Sequence, residues 1–159
     1  MGRVRFVRFT DDQGEPLIDP RAYLERLPEL APELPPGARE FATDPGHYDF
    51  HGQRCVKDLK LRSQAWDPEA NALELFFRHN CWKHEEDLTI RYAGLRSLHT
   101  DLAVVSDPVS TTFDVVLDEV LPHQGGCLHE IEFWGGTMVV AADDLTAAWT
   151  GADCPDRSR

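Results

Sequence analysis

Two histidine–cysteine pairs carry the metal-binding potential of this chain. His79 and Cys81 stand two apart, as do Cys127 and His129. On extended backbone, residues at i and i+2 project to one face. Two such pairs on neighbouring strands would supply the Cys2His2 tetrahedron that suits zinc, with His84 and His123 as spare ligands. Neither pair has the tight Cys-x-x-Cys knuckle of a zinc signature, and the hairpin register points Cys127 and His129 the same way as Ile131 and Phe133, toward the core. A second set of chemistry-bearing residues is Asp118, Glu119, Glu130 and Glu132. Paired carboxylates divide acid and base roles when their surroundings separate their pKa values; otherwise they line a solvated sheet face. Nucleophile motifs are absent: the sequence has no Gly-x-Ser-x-Gly, no phosphate-cradling glycine loop and no Gly-x-Gly-x-x-Gly. Cys127 and His129, side by side on one strand, lack a third group to orient the imidazole.

Charge says more about partners than about chemistry. Residues 97–156 contain no lysine or arginine but eleven carboxylates, whereas residues 1–96 hold 14 basic and 17 acidic side chains. The formal charge is −12. Such a one-sided field steers association toward basic surfaces and repels phosphate backbones. It argues against a nucleic-acid partner, even though Arg54, Lys57, Lys60 and Arg62 cluster. Exposed aromatics such as Trp82 or Trp134 could anchor an interface with a basic protein. The candidate contact face is Asp118, Glu119, Glu130, Glu132 and Trp134.

The elements that must position these groups read mainly as β-strands. Residues 1–50 are irregular and proline-rich. Arg3–Phe9 alternates like a strand, and Asp11-Asp12-Gln13-Gly14 turns. Asp19-Pro20 opens a helix carrying Tyr23, Leu24 and Leu27 inward and ending near Pro28. A helical turn is expected around Ala38–Thr43. Residues 55–142 form the β-rich core, with strands over Val56–Trp66, Ala72–His79, Leu88–Tyr92, one or two strands in Leu95–Val105, and Thr112–Leu121. The glycines of Trp134-Gly135-Gly136-Thr137 suit a two-residue hairpin loop. That loop pairs Phe133 with Met138, Ile131 with Val140 and His129 with Ala142. Asp143 or Asp144 caps a short helix through Trp149, and Gly151–Arg159 is a flexible tail. The expected fold is one domain over residues 1–150, mainly β with α+β character. It is an antiparallel sandwich or curved sheet with one or two short N-terminal helices and a short C-terminal helix.

Three stretches resemble small bacterial immunity-protein-like β-rich domains of polymorphic-toxin neighbourhoods. The first is Val56-Lys57-Asp58-Leu59-Lys60-Leu61 with Trp66-Asp67-Pro68 and Leu73-Glu74-Leu75-Phe76-Phe77. The second is Leu88-Thr89-Ile90-Arg91-Tyr92-Ala93-Gly94-Leu95. The third is His129-Glu130-Ile131 with Gly135-Gly136. The group often carries His-Asp where this chain has Lys57-Asp58. The resemblance covers residues 55–142 and implies inhibition of a cognate toxin by direct binding.

The expectation is therefore a non-enzymatic binding protein of the immunity or inhibitor class, with a basic partner and no cofactor. The alternatives are a small zinc enzyme, or a structural accessory subunit or homodimer that uses an exposed sheet edge. No apolar run is long enough to span a bilayer, and the N-terminal Arg3, Arg5 and Arg8 interrupt any signal-peptide core. A cytoplasmic protein follows, with Cys55, Cys81, Cys127 and Cys154 as free thiols. Export would instead allow three disulfide pairings.

Overall fold

The computed structural model describes residues 8–10, 16–102 and 112–153, with side chains from residue 20 onward. The expected turn at Asp11–Gly14 and most of the tail lie outside these residues. Strands β1 (Arg8–Thr10) and β2 (Pro16–Asp19) form a small antiparallel pair. Helix α1 (Arg21–Leu30) follows, then a 3-10 turn (Ala31–Glu33) and helix α2 (Pro36–Thr43). Six strands make the main sheet: β3 (Lys60–Asp67), β4 (Ala72–Arg78), β5 (Glu86–Thr100), β6 (Val115–His123), β7 (Gly126–Phe133) and β8 (Gly136–Gly151). Their order is β3-β4-β5-β8-β7-β6, antiparallel throughout. Two three-stranded meanders are thus zipped together by the long β5–β8 ladder.

The protein is mainly β with short N-terminal helices, as the alternation implies. Apart from the β1–β2 pair, its strands form one sheet of six rather than a sandwich of two stacked sheets. Its two edge strands approach at one end, where Val115 N–H donates to Leu59 O (2.8 Å) and Leu61 N–H to Phe113 O (3.0 Å). Bringing the edges of one sheet together requires strong coiling. Irregularities at Leu61/Ser63, Leu95/Ser97 and Val115/Leu117 supply local bends. The first of them also flips the face: Leu61 pairs with Phe77, whereas Ser63 pairs with Phe76. Leu61 and Ser63 therefore do not share a side, contrary to strict alternation.

Three further sequence expectations are corrected. Asp143–Trp149 is not a helix but the second half of β8. Leu145, Ala147 and Trp149 pair with Tyr92, Ile90 and Leu88 on β5, whose buried side chains need a covered neighbour. Asp144 does cap a helix, but the helix is α2. Its carboxylate accepts from Gly37 N–H (3.0 Å) and Ala38 N–H (2.8 Å), where Pro35 offers no side-chain acceptor. In α1, Tyr23 and Leu27 are buried one turn apart while Leu24 is exposed, and the helix runs through Pro28 to Leu30.

The β7–β8 hairpin turns one residue earlier than expected. Phe133 pairs with Gly136, Ile131 with Met138 and His129 with Val140. The loop is Trp134-Gly135. Gly136 has a φ of 153°, and a Cβ there would lie 2.4 Å from Asp101 Oδ1. Each partner shifts by two residues, so every side chain keeps its expected face.

One core joins α1, α2 and the sheet face bearing Leu75, Phe77, Leu88, Ile90, Tyr92, Ile131 and Val140. Among the described residues no helix is long and apolar enough to cross a membrane.

Candidate functional site

Strand β6 begins Val-Val-Leu and then places Asp118 on the side facing the core. Its carboxylate, 2% exposed, is the centre of a buried network. His47, from the loop after α2, directs Nε2 at both Asp118 oxygens (2.8 Å each), and its Nδ1 lies 2.9 Å from Phe41 O. Both contacts are to acceptors, so both ring nitrogens carry protons and His47 is an imidazolium. His129 on β7 donates from Nε2 to Asp118 Oδ2 (2.8 Å), and its Nδ1 accepts from the Tyr92 hydroxyl on β5 (2.6 Å). The His47 ring stacks on Tyr48 with centroids 4.1 Å apart.

Electrostatics follow from this geometry. Burial by itself would lower the His47 pKa, but the charge and hydrogen bonds of Asp118 outweigh it and raise the value. Burial would likewise raise Asp118, yet His47 and His129 hold it well below the usual carboxylate range. Burial, then the Asp118 charge, push the Tyr92 and Tyr48 hydroxyls well up, so both stay protonated donors. Stability should therefore fall at both ends of the pH scale. The Asp118 contribution is present above about pH 4 and is lost as pH falls through its depressed folded value. The His47 contribution is complete below about pH 6.5 and is lost as pH rises through its raised folded value. Urea unfolding across pH should give a plateau between those limits; a curve still rising through pH 8 would refute the assignment.

The same residues close the outer edge of β6. The Tyr48 hydroxyl donates to Asp118 O (3.1 Å) and the Tyr23 hydroxyl to Val120 O (2.6 Å). These carbonyls belong to alternate residues of an edge strand that would otherwise offer them to another chain.

The expected contact face divides. Asp118 points into the core. Glu119 and Glu130 pair across β6 and β7 on the opposite face and are also buried, and Glu132 is half-buried with Oε2 accepting from Thr137 Oγ1 (2.8 Å). These four carboxylates do not form one solvated acidic face. Trp134 does reach solvent, at 58% exposure.

The four candidate metal ligands also separate. His79 and Cys81 lie beyond the Phe77–Leu88–Trp149 row, whereas Cys127 pairs with Ala142. The two levels are seven residues apart along β8, roughly 23 Å of strand. A tetrahedral site needs its donors within about 4 Å of one another, so the two pairs cannot share one ion. Cys127 and His129 face the core, and burial pushes the Cys127 thiol up to about 12. Cys55 and Cys127 are free and buried; Cys81 is in a disulfide, which corrects the expectation of free thiols throughout.

A groove of about 340 Å³ opens between α2 and the end of β8, lined by Glu40, Phe41, Asp44, Arg54, Thr146 and Trp149. Arg54 is neutralised by a two-point pair with Glu86 (2.7 and 3.0 Å).

His47, Tyr48 and Tyr92 were not legible as site residues. The one sequence signal was a charged pair, Asp118-Glu119, set inside an apolar strand. No protein-family model matches the chain, and no curated protein sequence matches it. Its class rests on the fold alone: a mainly β protein with a single antiparallel six-stranded sheet and a helical N-terminal segment.

Proposed function

We propose that the chain is a non-enzymatic binding protein of the immunity or inhibitor class, acting on a basic protein partner. The observation that carries this reading is the β7–β8 hairpin tip. Trp134 stands out from a turn fixed on three sides. Its own N–H donates to Asp114 O (3.2 Å), Gly135 N–H to Thr112 O (2.9 Å), and Thr137 N–H to Asp101 Oδ1 (2.6 Å). A rigid, exposed indole loses little freedom when it enters a partner's pocket. Around it lie Asp101 and Glu132, within the 60-residue stretch free of lysine and arginine, while Asp114 is neutralised by Lys60 (2.9 Å). That field favours encounter with a basic surface. The fully bonded Asp118 network, sealed under α2, supports a role in holding the scaffold rigid behind that tip.

The test is affinity capture with the tagged protein from its own host at low and high salt, followed by quantitative mass spectrometry. A specific basic protein should be retained at low salt and lost at high salt. Trp134→Ala should weaken its binding by about 2 kcal/mol, roughly thirtyfold. Retention indifferent to both salt and Trp134→Ala would refute the reading.

A further inference from the structure

The loop between β4 and β5 brings together three groups arranged to activate the Cys81 sulfur as a thiol once its disulfide opens. His79 Nδ1–H donates to Asp87 Oδ1 (2.6 Å), and the His79 backbone N–H donates to the same oxygen (2.8 Å). The carboxylate thereby fixes both the tautomer and the tilt of the ring. The other ring nitrogen, Nε2, faces Cys81 Sγ at 3.6 Å, and Arg78 Nη2 approaches that sulfur at 3.7 Å. His79 is buried, while Cys81 is half-buried and next to Trp82, which is 78% exposed.

The remaining charged groups nearby are already committed. Lys83 pairs with Asp58 (3.0 Å). His84 accepts from Asn80 N–H at Nδ1 (3.0 Å) and donates from Nε2 to Cys55 O (2.9 Å), so it is neutral. That tautomer also explains why Cys55, 3.9 Å from His84 Nε2, has no base beside it. Burial, above all, raises the Cys55 and Cys127 thiols. Cys81 alone among the described cysteines faces an imidazole nitrogen free to take a proton.

We propose that Cys81, His79 and Asp87 form a thiol–imidazole–carboxylate relay, and that the Cys81 sulfur is a thiol–disulfide exchange site for small thiols and disulfides. In the opening direction, a small thiolate attacks the sulfur bonded to Cys81. The new S–S bond forms as the old one breaks, and the electron pair remains on Cys81 Sγ, which takes a proton from protonated His79 Nε2. In the closing direction, Cys81 S–H gives its proton to Nε2, the thiolate attacks a disulfide, and the displaced thiolate leaves. Asp87 stabilises the imidazolium in both directions, and Arg78 adds positive charge beside the sulfur.

The test uses the full chain carrying Cys154→Ser, reduced and then freed of reductant so that Cys55, Cys81 and Cys127 are all thiols. Its reaction with dithiodipyridine is followed from pH 4 to 9, and the labelled cysteine is located by peptide mass mapping. Cys81 should label first, with a midpoint below the ordinary thiol value of about 8.5. At pH 6 it should react about tenfold faster than in His79→Gln, and Asp87→Asn should also move the midpoint upward. A parental Cys81 midpoint at or above about 8.5, or first labelling at Cys55 or Cys127, would overturn the proposal. The parental profile decides the matter even if His79→Gln fails to fold.

Discussion

Asp118→Ala is expected to lower the free energy of unfolding by about 3–5 kcal/mol, the largest effect of any single substitution considered for this fold. The loss is not that of one hydrogen bond. His47 is buried with both ring nitrogens donating, and without the carboxylate its charge has no counter-ion. His129 would lose the acceptor for Nε2, leaving a second buried donor unmatched. Combining Asp118→Ala with His47→Phe should recover part of the loss, because the stranded charge leaves with its partner. Urea unfolding of the two variants beside the parent measures both effects. A single-variant loss under about 1 kcal/mol would mean that the network does not hold the N-terminal segment to the sheet.

Gly37→Ala should destabilise the protein by about 3 kcal/mol, against the sign that helix propensity alone predicts. Inside a helix, alanine is favoured over glycine by about 1 kcal/mol. Here a Cβ would fall 1.9 Å from Leu145 O, a backbone atom of β8 that no side-chain rotation can move. Relief requires α2 to lift away from the sheet, which also pulls Gly37 and Ala38 off the Asp144 carboxylate. Thermal and urea unfolding give the sign directly; a stabilised variant would show that α2 is not seated as described.

The parts of the fold legible in the sequence are those set by local pattern. Leu73, Leu75 and Phe77, and Leu88, Ile90 and Tyr92, announce buried faces by their period of two, and all six are buried. The helical turn expected around Ala38–Thr43 is the body of α2, which starts two residues earlier because Pro36 is tolerated in a helix's first turn. What was not legible depends on partners distant in sequence. Asp143-Asp144-Leu145-Thr146-Ala147 has a good capping residue and two-state propensity, and its strand conformation is imposed by β5. The hairpin slip arose because two adjacent glycines admit two loops, and Thr112 and Asp101 choose between them. Arg62 is an added residue that reverses the faces of β3, and nothing in its type announces this. His47 lies in an irregular stretch, and its role depends on a carboxylate 71 positions away. The Cys81 relay was half visible: the His79–Cys81 spacing suggested a ligand pair, but Asp87, which orients the ring, follows only from the turn of the loop.

The docking of the N-terminal segment has a consequence for how the chain acquires its structure. Tyr23 bonds to Val120, 97 residues on, and Gly37 and Ala38 bond to Asp144, 107 and 106 residues on. During synthesis Tyr23 therefore has no partner until β6 has emerged, and the start of α2 has no capping carboxylate until β8 has. Helices α1 and α2, of ten and eight residues, are too short to persist alone. Closure must wait for pairings of high sequence separation, which makes folding slow and leaves the β6 edge uncovered in the interval. The seating of α2 on Asp144 is thus the last piece set, and the time before the phenols of Tyr23 and Tyr48 cover the β6 edge is when the nascent chain is most open to misassembly.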